Sequence, residues 1–451
     1  MKTKKMILKN ALKQFAGHTK SAASFNSTWE ISSMVVLFLA SFLFSSLLVQ
    51  CRKDALSTVI PTDPGANAQY TITQAISDQA QKFTISFDGL AFLTGCLGSQ
   101  SFIPPGKVAD YSGFQYLRDN DPTNMGHNTS FVTIISNNIL SILNSDQINM
   151  FVQRAQSQID SINAFAYKRY PLLEAFRRLQ QGTIPSGTTQ LSENAVKAYA
   201  GSLYETDGRI SYSRYQLFGE VVNSLTPAQK TKLEALKALN GIGHWDSTLV
   251  NPLQTLNLKL SQDMGVAVMT YASEMYAWYV GDVYSDTYFC PERHGTYFGS
   301  FYLKDWPAMG NPDYTIDETL TSNAGQNFLS VLTTAQSDQV SGIVDLQRTA
   351  LDNIVVKRTA ISTELRKFYT GKPADLSTVL SLSKSYGELD GELSYFYATT
   401  FSKVYNLLTT DQKAKLLSLV NQLGYVAPNG GFLYSQPIAM PSIEHTDFMF
   451  K

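Results

Sequence analysis

Hydrophobic residues follow a helical period through most of this chain. From 136 to 180, and again after residue 328, apolar side chains recur three or four positions apart, as on the buried face of a helix. Further helices are predicted at about 191–223 and 377–406, and no strand-like alternation persists for long. The pattern therefore predicts an all-α fold of antiparallel helical hairpins, each followed by a third short helix.

The same pattern occurs twice. Residues 225–230 (LTPAQK) return as residues 408–413 (LTTDQK), 183 positions later, and further matches at offsets of 186 and 189 extend upstream. Self-similarity at a nearly fixed period indicates a repeated structural unit. We therefore expect a tandem duplication of a helical-hairpin unit, in which each copy carries an irregular segment rich in aromatic residues, Gly and Pro.

The repeat defines the predicted organisation of the chain. The two repeat units are assigned to residues 72–240 and 262–425, each long enough to bury a core. The remaining segments are a signal or anchor segment (1–51), a flexible tether (52–71), a connector (241–261) and a carboxyl-terminal tail (426–451). For this tail, an extended segment packed on the body and partial disorder are both open alternatives.

The amino terminus has the pattern of an export signal or an anchor. Lysines precede an apolar run from Met34 to Val49, a length that suits the hydrophobic region of a signal peptide. The run ends in Leu48-Val49-Gln50-Cys51, which resembles a bacterial lipobox with Cys51 as the lipid acceptor. An uncleaved signal anchor and ordinary cleavage are the alternatives. The basic flank predicts that the body lies outside the inner membrane, in the bacterial cell envelope and anchored to a membrane.

Charge and cysteine usage narrow the classes of partner. Residues 1–51 carry six Lys and one Glu, so the remainder of a chain with net charge −1 carries −6. No basic stripe is left to neutralise phosphates, which argues against nucleic-acid binding. Besides Cys51 the chain has Cys96 and Cys290, for which a disulfide and two free thiols are both open.

Four short motifs predict helix amino termini. In each, a Thr or Asn precedes a Gln by three positions, the spacing of a capping box in which each residue bonds the backbone amide of the other. Such a cap is worth about 0.5–2 kcal/mol. The motif residues are Leu143, Asn144 and Gln147; Leu225, Thr226 and Gln229; Leu332, Thr333 and Gln336; and Leu408, Thr409 and Gln412.

The segment 404–413 (VYNLLTTDQK) resembles the second signature of the Spy/CpxP family of periplasmic helical proteins. That family carries two Leu-Thr-x-x-Gln motifs separated by a long helical hairpin, and the two Gln pairs here are 82 and 76 residues apart. The resemblance covers about 139–240 and 328–424, with Asn144 in place of Thr. It implies a helical fold and an envelope-stress role, either ATP-independent chaperoning or the sensing of misfolded protein or metal.

Two further groups of residues are candidates for a binding surface. Aromatic residues are concentrated in 271–306, and those without a counterpart in the first repeat are the better candidates for binding a protein, although a core role is the alternative. Two basic pairs match across the repeats and could line a groove, or form a solvated face or ion pairs with Glu174 and Glu364. The candidates are Tyr276, Tyr279, Tyr284, Phe298, Phe301, Lys168, Arg169, Lys357 and Arg358.

No motif of an enzyme is recognisable. The sequence has no nucleophile motif, phosphate-binding loop or zinc-ligand pattern, so we expect no catalytic residue, cofactor or metal site. Asp207-Gly208 and Asp390-Gly391 predict a turn, a kink or a close helix contact.

The favoured function is an envelope-anchored, non-enzymatic helical binding protein, chaperone-like or stress-sensing, with the membrane and a protein client as partners. The alternative is a structural or accessory lipoprotein that docks onto an envelope complex through its aromatic segments. The oligomeric state is left open.

The anchor is directly testable. Cells that express the chain with Cys51→Ser should lose incorporation of a radiolabelled or clickable fatty acid, because the substitution removes the acceptor thiol. Equal labelling of the wild-type and Cys51→Ser chains would exclude lipidation at this position.

Overall fold

Our computed structural model describes residues 77–94, 108–109, 115–119, 129–168, 170–239, 244–256, 258, 260–287, 324–422, 431–433, 436–438, 443 and 445–451. All of them belong to a compact unit that comprises residues 62–451. The other unit, residues 1–61, lies outside the described residues, and so do the predicted lipid acceptor Cys51 and the thiols of Cys96 and Cys290.

The described chain is all-α in class, as the hydrophobic period predicts. The helices before the predicted connector are α1 (Asp78–Thr94), α2 (Thr129–Ile142), α3 (Ser145–Lys168), α4 (Tyr170–Gln181), α5 (Glu193–Ser224) and α6 (Pro227–Lys237). Those that follow are α7 (Pro252–Thr255), α8 (Gln262–Val280), α9 (Val283–Thr287), α10 (Ala324–Val331), α11 (Thr334–Ser341), α12 (Ile343–Leu365), α13 (Leu376–Leu407) and α14 (Thr410–Gln422).

A small antiparallel sheet occupies part of the chain that the sequence predicted as irregular or extended. Its strands, in spatial order, are β1 (Val108–Ala109), β2 (Gln115–Asp119), β3 (Gly431–Leu433) and β4 (Gln436–Ile438). Leu117 pairs with Leu433 across the β2–β3 contact. The strands are too short for an alternating pattern to reveal them. Through β3, part of the carboxyl-terminal tail packs on the body in an extended conformation.

Helices α5 and α13 form the centre of the fold. Each is 32 residues long, and they pack on each other in antiparallel directions. Small residues allow the close approach: a Cβ atom on Gly387 would lie 2.6 Å from the carbonyl oxygen of Ala200, and one on Gly208 would collide with Ser383. Both Asp-Gly pairs lie within uninterrupted helix. The close-contact alternative therefore applies, and neither pair forms a turn between helical segments.

The helices at the front of the two predicted repeat units are exchanged between them. Helix α1 packs on α10, α12 and α13, whereas α8 packs on α2, α3 and α5. Hydrogen bonds join these helices: Gln347 Nε2 on α12 donates to Gln81 Oε1 on α1 (2.9 Å), and the Tyr271 hydroxyl on α8 donates to Gln158 Oε1 on α3 (2.8 Å). Within the described part of the chain, packing therefore crosses the boundary predicted between residues 72–240 and 262–425.

The tight α5–α13 contact predicts that two Gly→Ala substitutions have opposite effects on the free energy of unfolding. Gly387→Ala should lower the free energy of unfolding by about 1–3 kcal/mol, because the new methyl group overlaps the backbone of α5. Gly265→Ala on α8 is the matched control, since its Cβ atom would meet nothing within 4 Å. This control should raise stability by up to about 1 kcal/mol, the helix propensity difference. Urea unfolding measures both, and equal effects of the two substitutions would contradict the tight contact.

Candidate functional site

The first pair of Leu-Thr-x-x-Gln motifs forms two capping boxes. Gln147 N–H donates to Asn144 Oδ1 (2.9 Å) and Asn144 N–H donates to Gln147 Oε1 (2.9 Å). Thr226 and Gln229 make the same exchange at the start of α6 (3.0 and 3.2 Å). Asn144 therefore serves as the cap in place of Thr, because both side chains present an oxygen to the third backbone amide of the helix.

The two glutamines also bond to each other and to the ends of other helices. Gln229 Nε2 donates to Gln147 Oε1 (2.8 Å) and to the carbonyl oxygen of Ile142, the last residue of α2 (2.9 Å). Gln147 Nε2 donates to the hydroxyl of Ser224, the last residue of α5 (2.9 Å). Each side chain thus satisfies an orphan amide at one helix start, and the pair joins it to the ends of two other helices. We name this arrangement a glutamine clasp.

The second pair of motifs builds an equivalent clasp. Thr333 with Gln336, and Thr409 with Gln412, form capping boxes at the starts of α11 and α14. Gln412 Nε2 donates to Gln336 Oε1 (2.7 Å) and to the carbonyl oxygen of Val331 at the end of α10 (3.0 Å). Gln336 Nε2 donates to the carbonyl oxygen of Leu407 at the end of α13 (3.0 Å).

The leucines of the motifs contribute to the core. Leu143, Leu225 and Leu408 are buried, and Leu332 is half-buried against the same core. A buried leucine beside a satisfied polar cap fixes the direction in which the chain enters the next helix. The arrangement holds the ends of several helices together.

The proposed aromatic surface is internal where the structure describes it. Tyr276 is 0% exposed and Tyr279 is 8% exposed. The Tyr276 ring packs edge-on against Trp245, and Tyr279 stacks on Tyr369. Burial, with the nearby Glu234 carboxylate, raises the pKa of both tyrosine hydroxyls. The core alternative applies to Tyr276 and Tyr279, and their assignment to an accessible binding surface is wrong.

The side chain of Tyr284 and the residues Phe298, Phe301 and Arg169 lie outside the described part of the chain.

One member of the two basic pairs lies in the interior. Arg358 is fully buried, and its guanidinium donates to the carbonyl oxygens of Asp286 (3.1 Å) and Thr287 (3.3 Å). Lys357 is half-buried, whereas Lys168 is exposed at the end of α3. Arg358 therefore ties α12 to α9 from inside the protein, and its assignment to a binding groove is wrong.

The glutamates proposed to pair with these basic residues have nearer partners. Glu174 pairs with Arg177 (3.0 Å), and Glu364 pairs with Lys367 (2.7 Å). Each of these pairs spans three positions of its own segment, where side chains on neighbouring turns meet. The solvated alternative remains suitable for the exposed Lys168.

A buried ionic layer is the feature that the sequence did not reveal. Arg214 on α5 pairs with Glu274 on α8 (3.3 Å), with side chains 0% and 6% exposed. Arg366 pairs with Asp286 (2.6 Å) and lies over the Trp278 ring. Burial alone lowers the pKa of Arg366, but the Asp286 carboxylate reverses this and raises it overall. The sequence signal that could have indicated this layer is a charged residue at a position in phase with the apolar face of its helix.

The ionic layer is expected to fix pairing rather than to act on a substrate. Each charge has a partner of opposite sign, and the desolvation cost makes such a pair specific to one arrangement of helices. Among the described residues, no group of three or more His, Cys, Asp or Glu could hold a metal ion. None of the described helices is both long and apolar enough to cross a membrane.

Comparisons with known proteins add no assignment. No family model, curated protein or solved structure matches the chain. The fold and the clasps thus define an all-α protein whose hairpins are closed by paired capping glutamines.

A double-mutant cycle tests the first clasp. Gln147→Ala should lower the free energy of unfolding by about 1–3 kcal/mol, because the Asn144 amide and the helix-end groups lose their partner. Combining it with Gln229→Ala should give a coupling energy of at least about 0.5 kcal/mol. The control Gln156→Ala, at an exposed position of α3, should stay within about 0.5 kcal/mol of wild type. Strict additivity of the two clasp substitutions would contradict the cross-bond.

Proposed function

We propose that this chain is an envelope-anchored, non-enzymatic helical binding protein that acts as a chaperone-like or stress-sensing module. The observation that carries the proposal is the pairing of the Leu-Thr-x-x-Gln motifs in two clasps. In each clasp, two motifs far apart in sequence meet at the ends of a long hairpin. A shared clasp explains why a chain that carries one such motif also carries the second. The amino-terminal signal and lipobox pattern supports the envelope location.

We also infer that the chain arose by tandem duplication and that its two halves form one fused body. Two observations support this inference. The clasps use corresponding positions, since the acceptors Ile142 and Val331 are 189 residues apart, as are Gln147 and Gln336. The exchange of α1 and α8 gives each half a helix from the other, so a single fused body is favoured over two separate lobes.

An unfolded client would need apolar surface, and α12 supplies some. Leu346 and Val356 are 53% and 61% exposed on this helix. They are ten positions apart, a separation of about 15 Å along a helix axis. Extended chains expose apolar side chains at irregular intervals, so separate apolar contacts suit weak, non-sequence-specific capture better than one deep pocket would.

The accessory-lipoprotein alternative has less support. It relies on aromatic segments as the docking surface, and the described members of that group, Tyr276 and Tyr279, are interior. Stable docking to an envelope complex is therefore an outcome that the experiment below distinguishes from client protection.

Aggregation suppression tests the proposed function. The fragment 52–451, added at a stoichiometric ratio, should reduce light scattering by a thermally or chemically unfolding model protein. Replacing Leu346 and Val356 by Ser should weaken this protection several-fold, because two exposed apolar contacts are lost. The matched control replaces Val250 and Leu256 by Ser. These residues are also exposed but lie outside the proposed client surface on α12, so this variant should protect as wild type does.

Two outcomes would contradict this function. Absence of protection by the wild-type fragment would remove the chaperone-like role. Recovery of one stable envelope partner, without any protection of unfolding clients, would favour the accessory role instead.

A further inference from the structure

Residues 445–451, here named the tail segment, run beside the loop 182–192 that joins α4 to α5. The two segments pair in antiparallel directions, with an isolated bridge between Leu191 and Phe450. Four backbone hydrogen bonds of 2.7–3.2 Å connect them: from Thr189 and Gln190 to the carbonyl of Lys451, from Ser192 to that of Met449, and from Lys451 back to Gln190. The loop therefore provides a short strand edge, and the tail segment covers it.

The side chains of the tail segment divide between the interior and solvent. Met449 is 0% exposed and Phe450 is 7% exposed, whereas Phe448 between Asp447 and Met449 is 55% exposed. The single 3₁₀ turn Asp447–Met449 sets these directions. Apolar contact at the inward positions adds specificity to a backbone pairing that is itself independent of side chains.

One side chain of α4 contacts three parts of the tail segment. The Arg178 guanidinium donates to Thr446 Oγ1 (2.7 Å), pairs with Asp447 Oδ1 (2.7 Å) and lies 5.1 Å from the centre of the Phe450 ring. On the α5 side, the Tyr199 ring packs against Phe448, with ring centres 5.9 Å apart. The ion pair, the hydrogen bond and the ring contact together suit a segment with an acidic residue followed by apolar residues.

The strand edge belongs to one half of the protein. At the offset of 189 residues, α4 corresponds to the end of α12 and the 3₁₀ helix that follows it (Arg366–Thr370), so the matching loop is 371–375 and is six residues shorter than 182–192. The insertion in the first half supplies Thr189 and Gln190, the donors to the tail segment. A feature present in one half only is not required by the clasps or by the α5–α13 contact.

We propose that loop 182–192, with Arg178 and Tyr199, is a binding groove for a short peptide segment, and that the tail segment occupies it in cis. The partner is a protein segment that carries an acidic residue followed, two and three positions later, by an apolar and an aromatic residue. It pairs with the loop edge through its backbone as Met449, Phe450 and Lys451 do, and its acidic residue lies on the preceding turn as Asp447 does. This inference is independent of the proposed chaperone-like role.

Occupancy in cis sets the affinity for a partner. A tethered segment competes at an effective concentration on the order of millimolar. The apparent affinity for a peptide in trans falls in proportion to the fraction of molecules whose groove is open. Weakening the docking of the tail segment should therefore open the groove to a peptide without changing the residues of the groove.

A labelled peptide of the tail sequence 445–451 tests the proposal by fluorescence anisotropy. The full chain is used, in detergent micelles because of its apolar amino-terminal run. Met449→Asp, which places a charge in the buried pocket, should bind the peptide at least about ten-fold more tightly than wild type. Lys451→Ala is the matched control, because only the Lys451 backbone engages the loop in the hydrogen bonds above, and it should behave as wild type. Adding Arg178→Ala to Met449→Asp should weaken binding about ten-fold.

Amide hydrogen exchange distinguishes a peptide-binding groove from a tail segment that is purely structural. Exchange at Thr189, Gln190 and Ser192 should accelerate in Met449→Asp, while the α5–α13 core keeps its protection. Faster exchange without peptide binding would overturn the groove and leave a purely structural tail. Unchanged exchange would equally overturn it, because docking is attributed to the buried Met449. A wild-type dimer that dissociates on Met449→Asp would show that the segment is exchanged between copies and would contradict occupancy in cis.

Discussion

The close approach of α5 and α13 is the contact on which the rest of the fold depends. These two long helices run antiparallel, and glycines at their crossing let backbone meet side chain without an intervening Cβ atom. The shorter helices then cover the pair. Because α1 covers the half that contains α12 and α13, and α8 covers the half that contains α3 and α5, neither half has a complete core without the other.

The glutamine clasps provide hydrogen-bond partners for the backbone groups at the helix ends that this packing brings together. Helices that meet end to end bring together amides and carbonyls that lack partners within their own helix. A glutamine at the third position of a helix can accept from the cap amide with its oxygen and donate outward with its nitrogen. In both clasps the outward donation reaches the end of another helix, so a local capping motif also becomes a tertiary joint.

Buried charge has a comparable role inside the body. The Arg214–Glu274 pair joins α5 to α8, and Arg366 with Asp286 joins the segment after α12 to α9. Each pair therefore fixes one of the contacts around the exchanged helix α8 or its continuation. Arg358, Tyr276 and Tyr279, which the sequence suggested for a binding surface, are interior as well. The accessible surface instead offers apolar side chains on α12 and the loop edge beside Arg178.

The sequence by itself determined the features that depend on neighbours within a few positions. The long helices predicted at 191–223 and 377–406 are found as Glu193–Ser224 and Leu376–Leu407, and the capping boxes follow from a Thr or Asn three residues before a Gln. Tertiary structure decided which glutamines meet, which tyrosines face inward and which half receives α1 and α8. A helical period identifies a buried face but not its partner, since packing joins residues that are distant along the chain. The partner of the tail segment was equally undetermined, because backbone pairing at an edge leaves little trace in side-chain pattern.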